Sequence, residues 1–493
     1  MRTKRGFRAT SVPAFVVIFI AAFALAGCEH VDATTNDVTA ATTTQRVPTH
    51  VQNWLYACEA NQTCVSAQNT GISARWMAEH VDWNEVYYRS GDDTTGRHLA
   101  AAHAKHIVVY VDPNITPYCP VPRGFGASSV DFPETGENCK GQVASFLHAR
   151  NGSYAHAYQH QANGFRLWAA EDKLFNGAAT EPLYIGDPDV RAAFAAASSQ
   201  NPYATEVFED DASGAYNCIY DYGRCDAGAS FGRPHYAPPP CTYTGGYWCY
   251  RYNETAVEWD RARNPQEAYL SDAIALANAS PHGVIGNNGA QTNSYDLQWL
   301  AARNVKGAMI ERAWQLGEDS DKFVKVANAV LTYHSRGKFV VEEDTDARAL
   351  MLQIAAHWIV YDPAYSVEAL LEVNPAEART GPNDTTFPEE TVVPTSPRVA
   401  TPSNNDVRTF ETRTRGLFVR EYAACYQAGT RIGRCAAVVN ATAAPKPIAG
   451  LAFKYGHVLV RNTSATWAAG GTARWSTSVP PAIGANDGVI LGQ

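Results

Sequence analysis

The chain has 493 residues, 45% of them hydrophobic and 11% aromatic, which is enough to fill one large domain and a smaller one. Forty Lys and Arg stand against 49 Asp and Glu, a formal charge of −9. No basic patch interrupts this acidic balance, and that excludes a nucleic-acid partner, whose phosphates require one.

Arg2, Lys4, Arg5 and Arg8 precede an apolar run, Val12–Leu25, that closes on Leu25-Ala-Gly-Cys28. A basic start, a short apolar stretch and small residues before a cut make a secretory signal, and the run is too short for a stable transmembrane span. Its end resembles the lipobox of bacterial lipoproteins. The resemblance implies that residues 1–27 are removed and that Cys28 becomes the lipidated first residue. The protein would then be anchored to a membrane of the bacterial cell envelope, facing the periplasm or the exterior. Losing those four basic residues and no acidic ones leaves 36 basic against 49 acidic, or −13. Residues 28–49, rich in Thr, Ala, Asp and Asn, are expected to be a flexible tether.

Apart from Cys28, ten cysteines remain, and they fall into neighbouring pairs: 58/64, 119/139, 218/225, 241/249 and 425/435. In an exported chain an even set of this kind reads as disulfides. Nearest-neighbour bridges are the simplest pairing, with 218/249 and 225/241 as the chief alternative. No Cys-x-x-Cys spacing points to a metal, and none is expected.

From about 50 to 371 the chain alternates short apolar strands with helical patterns. The spacing predicts a strand in Val51–Cys58, helices over Ser73–Val86 and Arg97–His106, and a strand over His106–Asp112. A helix over Asp187–Ser198 precedes Ala204–Gly214, a strand-like run ending in Glu209-Asp210-Asp211. Helical Pro265–Ala279 feeds Gly283–Asn288, and Tyr295–Arg303 feeds Val305–Glu311. Asp321–Ser335 leads into Lys338–Asp344, and Ala347–Ala356 into a strand expected over His357–Asp362. Seven or eight such units, with strands that repeatedly end in Asp, Glu or Asn, predict an α/β fold of the (β/α)8 TIM-barrel kind.

Residues 212–262 form an insertion too long for a plain loop, with four cysteines, Pro238-Pro-Pro240 and the aromatics Tyr243, Tyr247, Trp248, Tyr250 and Tyr252. It reads either as a mini-core around disulfides or as a platform where Trp248 and its neighbours stack on sugar rings. Residues 372–410 read as a linker or long loop. Short strand-like runs at Gly416–Cys425, Cys435–Asn440, His457–Asn462, Ala473–Thr477 and Gly488–Leu491 predict a small all-β domain over 411–493.

Three adjacent acids are poor strand formers and belong just past a strand's end, where barrels build active sites. Cleaving a glycosidic bond takes two carboxyl groups, one on each side of it. The candidates are the 209–211 cluster and Glu311. The latter closes a Gly-Ala-Met-Ile run, whose apolar rim would raise a carboxyl pKa as a general acid requires. Residues 206, 208 and 210 share one strand face and 207, 209 and 211 the other, so alternation alone leaves open which acid points inward. Asp112, Asn287, Asn288, Glu342, Glu343, Asp344 and Asp362 lie near expected strand ends, as substrate hydrogen-bonders or loop caps.

The strand ending in Glu-Asp-Asp-Ala, then Ile-Gly-Asn-Asn, then Gly-Ala-Met-Ile-Glu-Arg-Ala-Trp, then Tyr-Asp-Pro-x-Tyr resembles bacterial glycoside-hydrolase-like (β/α)8 proteins distantly similar to endo-α-1,4-polygalactosaminidases. The segment with Phe418-Val-Arg-Glu-Tyr422, Ala437-Val-Val-Asn440, Val458-Leu-Val and Gly470-Gly471 is similar to the β domain that follows such barrels. The resemblance implies a catalytic Asp on the fourth strand, matched here by Asp210 with Asp211 as its substitute, and a catalytic Glu on the sixth, Glu311. Glu209 departs from the pattern, in which an apolar residue is more usual.

No Gly-x-Ser-x-Gly elbow follows a strand, and Gly283-Val-Ile-Gly286 lacks dinucleotide-binding spacing, so neither a serine hydrolase nor a nucleotide cofactor is expected. No cofactor is needed. The expectation is a lipid-anchored barrel that hydrolyses a carbohydrate polymer with Asp210 and Glu311. The alternative is a carbohydrate-binding or structural lipoprotein that kept the barrel without the chemistry.

Overall fold

The computed structural model describes residues 48–57, 59, 72–86, 94–111, 113, 143, 146–147, 183–210, 212, 265–315, 320–344, 349–370 and 386–493. The signal, the tether, Cys28, Asp112, Asp211 and nearly all of the 212–262 insertion, with Trp248, lie outside these residues. So do the cysteines other than Cys425 and Cys435, which form the expected disulfide.

Eight parallel strands make one sheet in sequence order. They are β1 (Trp54–Tyr56), β2 (Trp83–Val86), β3 (His106–Val111), β4 (Glu206–Glu209), β5 (Gly283–Asn287), β6 (Val305–Ile310), β7 (Phe339–Asp344) and β8 (Ser366–Leu370). The sheet curls back on itself: Asn53 bridges Glu368, and the Glu368 amide donates to the Gln52 carbonyl at 2.9 Å.

The connecting helices are α1 (Ala74–His80), α2 (Thr94–Ala101), α3 (Pro188–Ser198), α4 (Pro265–Ala279), α5 (Ser294–Leu300), α6 (Ser320–His334) and α7 (Leu350–Val360). Side-chain caps start several of them. Ser73 accepts from the Trp76 amide, Asp187 from those of Asp189 and Val190, and Asn293 from those of Tyr295 and Asp296. Each cap satisfies amides that the first helical turn leaves without partners.

Two apolar layers follow from strand alternation. Trp54, Trp83, Val108, Phe208, Ile285, Met309, Val341, Val367 and Ala369, drawn from all eight strands, fill the barrel interior. The opposite faces of the strands pack against the helices in a larger cluster that includes Val207, Val284, Ala308 and Val340. Below the interior layer His106 stacks on Trp83 with centroids 3.9 Å apart, and its Nδ1 meets Glu206 at 2.8 Å, closing the barrel floor.

The fold matches the expected barrel and β domain, with three corrections to the elements. The helix expected over Ser73–Val86 ends at His80, and Trp83–Val86 is instead the strand β2. The strand expected over His357–Asp362 is the end of helix α7, whose residues from Leu352 to Val360 are all buried. A helix covered on every side carries no amphipathic stripe, so its run of apolar residues mimics a strand. The eighth strand lies further on, at Ser366–Leu370. The segment expected as a linker, 372–410, supplies from Val392 to Pro397 the strand β9.

That strand edges an antiparallel six-stranded sheet of order β14-β13-β16-β11-β10-β9, where β10 is Leu417–Gln427, β11 Thr430–Asn440, β13 His457–Val460, β14 Arg474–Ser476 and β16 Asp487–Gly492. Two short strands, β12 (Lys446–Pro447) and β15 (Ala482–Ile483), pair beside it, and a last helix, α8, spans Ala449–Tyr455. One face of the large sheet has its own core of Leu417, Ala436, Val438, Ile448, Val458 and Leu491. The other continues the barrel's helix layer: a Cβ on Gly488 would meet Ala355 and the backbone of Leu352, so β16 lies directly on α7. The fully buried Arg420 donates to the Ile359 carbonyl at 2.9 Å and the Tyr361 carbonyl at 3.1 Å, closing the C-terminus of α7. Among the described residues no helix is long and apolar enough to cross a membrane.

Candidate active site

The row one step above the interior layer forms the C-terminal mouth of the barrel. Alternation from Phe208, Ile285, Met309 and Val341 turns Asp210, Asn287, Glu311 and Glu343 inward. The same parity brings in Tyr56 beyond Trp54, Glu85 beyond Trp83 and Tyr110 beyond Val108. Seven of the eight strands thus contribute a polar side chain to one ring.

Asn287 joins the two principal acids. Its Nδ2 donates to Oδ1 of Asp210 at 2.8 Å and to Oε1 of Glu311 at 2.7 Å. The other oxygen of Asp210 accepts from the Tyr110 hydroxyl at 2.6 Å. A close approach sets the position of Asn287. A Cβ on Gly286 would run into Trp299 of α5, so only glycine lets the end of β5 lie this near the helix layer. Directly after Glu311, Arg312 takes a left-handed φ of 52° and turns the chain away from the mouth.

The charges in this ring perturb one another. Glu311 is exposed at the rim, yet desolvation of its carboxyl, and next the charge of Asp210, push its pKa up, while the Asn287 hydrogen bond and Arg312 oppose the rise. Burial, then Glu311 and Asp210, push Glu343 up to about 8. Burial also raises Glu85, although Trp54 donates to its carboxyl from Nε1 at 3.1 Å. The phenol of Tyr56 is raised by burial and then by Glu85, Glu343, Glu311 and Asp210, so it keeps its proton amid four carboxyls.

Asp210, Asn287, Glu311 and Glu343 therefore come together from the residues singled out in the sequence. The others are placed elsewhere. Asn288 points outward beside the Tyr333 hydroxyl of α6. Glu342 and Asp344 also face the helix layer, where Glu342 accepts from the Trp314 indole at 2.9 Å and Asp344 from the Trp314 amide at 3.1 Å. Asp362 lies at the barrel's far end, between α7 and β8, where its Oδ1 accepts from the Ala364 amide at 2.9 Å. Glu209 faces outward at 2% exposure, and burial lifts its pKa to about 8.

Sequence reasoning missed Tyr56, Glu85 and Tyr110. Tyr56 and Tyr110 lie inside apolar strand runs and read as core. Glu85 belongs to a four-residue strand too short to show its alternation. Among the described residues no three His, Cys, Asp or Glu side chains converge as metal ligands.

Fold and site together define a (β/α)8-barrel protein with an antiparallel C-terminal β domain and a bridged carboxyl pair at the barrel mouth. No family model matches the sequence, and no curated protein matches it. The chain is similar in structure to a cycloisomaltooligosaccharide glucanotransferase of Paenibacillus sp. complexed with cycloisomaltoheptaose. The identity is 8% and the TM-score 0.32, over 90% of this chain and 55% of that one, so this chain spans about half that protein's length.

Proposed function

We propose that the barrel hydrolyses a glycosidic bond in a carbohydrate polymer, with Asp210 as nucleophile and Glu311 as general acid. The observation that carries this reading is the Asn287 amide shared by the two carboxyls at 2.8 and 2.7 Å. Those distances keep the two bridged oxygens within about 5.5 Å of each other, which supports a retaining mechanism over an inverting one, whose carboxyls stand ~6.5–9.5 Å apart to admit a water.

In the first step the Asp210 oxygen bonds to the anomeric carbon while the Glu311 proton passes to the departing sugar oxygen. In the second, Glu311 takes a proton from water, whose oxygen displaces Asp210 and restores both carboxyls. A raised pKa suits Glu311 to the acid role, because it must enter the first step protonated. The hydrogen bonds from Tyr110 and Asn287 aim Asp210 at one point in the mouth. The reading includes attachment to a bacterial envelope through lipidated Cys28, supported by the lipobox-like Leu25-Ala-Gly-Cys28.

The test is a screen of the whole protein against neutral, acidic and amino-sugar polysaccharides, read as new reducing ends. One polymer is expected to be cleaved with retention of anomeric configuration, and D210N and E311Q to lower its turnover ~10²–10⁴-fold. Turnover that survives both substitutions would refute the assignment. Inertness of the wild type on every polymer would favour the binding alternative. For the anchor, Cys28→Ala is expected to abolish lipid labelling and membrane recovery.

A further inference from the structure

Glu343 has no part in the two-step chemistry, yet it stands beside it. The register that pairs Ile310 with Glu342 sets Glu343 level with Glu311 on the neighbouring strand. Glu343 is 7% exposed, whereas Glu311 lies open at the rim. The titratable and charged groups around it are Tyr56 from β1, Glu85 from β2, Asp210 past β4, and Glu311 and Arg312 past β6. On its own strand Glu342 and Asp344 turn to the opposite face, as does Glu368 on β8.

Carboxyls crowded into one low-dielectric ring cannot all be ionised, and the more buried members keep their protons. The carboxyl of Glu85 already accepts from Trp54. A neutral carboxylic acid donates a hydrogen bond, which a carboxylate cannot do. Building on the glycosidase reading, we propose that Glu343 stands in the mouth as a neutral acid and presents a hydrogen-bond donor, not a further charge, to the sugar held between Asp210 and Glu311. Its placement at about 8 by burial and by the charges of Glu311 and Asp210 agrees with this, Arg312 being the opposing influence.

The test combines a carboxyl titration with turnover, both on the full chain. With ¹³C at the glutamate side-chain carboxyls, the wild type is expected to show a resonance titrating on the alkaline side of neutrality that is missing in E343Q. On the cleaved polymer, E343M is expected to lose roughly tenfold or more in kcat/KM, the worth of one hydrogen bond. E343Q, which restores a neutral donor, recovers most of that loss. Wild type and E343Q showing the same set of alkaline-titrating resonances, that of Glu209 among them, overturns the proposal, as does E343M matching the wild type or E343Q falling as far as D210N. The titration needs no substrate. The lack of any alkaline resonance that E343Q deletes therefore removes this inference and leaves the Asp210–Glu311 reading standing, while absent turnover with that resonance present removes the reading alone.

Discussion

Asp210 and Glu311 accept hydrogen bonds from one nitrogen, Nδ2 of Asn287, at 2.8 and 2.7 Å. A single amide thereby fixes the spacing of two groups on different strands. Asn287→Ala removes the donor and also the hydrogen bond that holds the Glu311 pKa down. We expect kcat to fall by ~10–100-fold, as for a lost hydrogen bond to a charged group. The alkaline limb of the pH profile should move upward, with the far-ultraviolet circular dichroism unchanged.

Tyr110 supports Asp210 from the other side at 2.6 Å. Tyr110→Phe keeps the ring against Phe208 and deletes only the hydroxyl. Steady-state kinetics should show kcat/KM reduced by about tenfold or more with little change in melting temperature. An equal fall in stability would mean that the hydroxyl serves packing and not the proposed nucleophile, Asp210.

Arg312 lowers the pKa of both Glu311 and Glu343. In the proposed mechanism the acid form of Glu311 is the active one, so activity should decline as pH rises through its raised pKa. Arg312→Gln is expected to shift that decline to higher pH by less than about one unit, since an exposed charge acts through high dielectric. The difference from wild type should shrink as salt is added.

Glu209 faces the helix layer with its pKa raised to about 8 by burial. The native state therefore binds this proton more tightly than the unfolded chain does. Its contribution to stability is complete below the ordinary glutamate pKa and is lost as pH rises through about 8. Urea melts should find Glu209→Gln close to wild type near pH 5 and more stable by on the order of a few kcal/mol near pH 9.

Arg420 closes the last carbonyls of α7 from within the β domain, with Thr401 as a third acceptor at 3.2 Å and the Phe410 ring 5.0 Å from its guanidinium carbon. Arg420→Met leaves those carbonyls buried without their donor, and equilibrium unfolding should report a loss of about 2–4 kcal/mol. Barrel and β domain share a core through α7, so they should still unfold in one transition.

The sequence by itself determined the alternation of strand and helix, the β domain and the acids at strand ends, because these are local. A period of two, a cap or an acid that interrupts an apolar run is legible within ten residues. The 425–435 bridge agrees with the simplest nearest-neighbour pairing, its cysteines lying on the adjacent strands β10 and β11. The sequence could not show β2 in Trp83–Val86, which is too short to display a period, or tell the wholly buried helix α7 from a strand. Only the tertiary structure decided between Glu209 and Asp210, by packing Phe208 into the barrel interior and so turning its alternate neighbour toward the mouth. It also decided that Asn287 joins the two acids and that Glu85, Tyr56 and Tyr110 complete the ring. Those relations span strands far apart in sequence, and only the closure of the sheet brings their inward faces onto one rim.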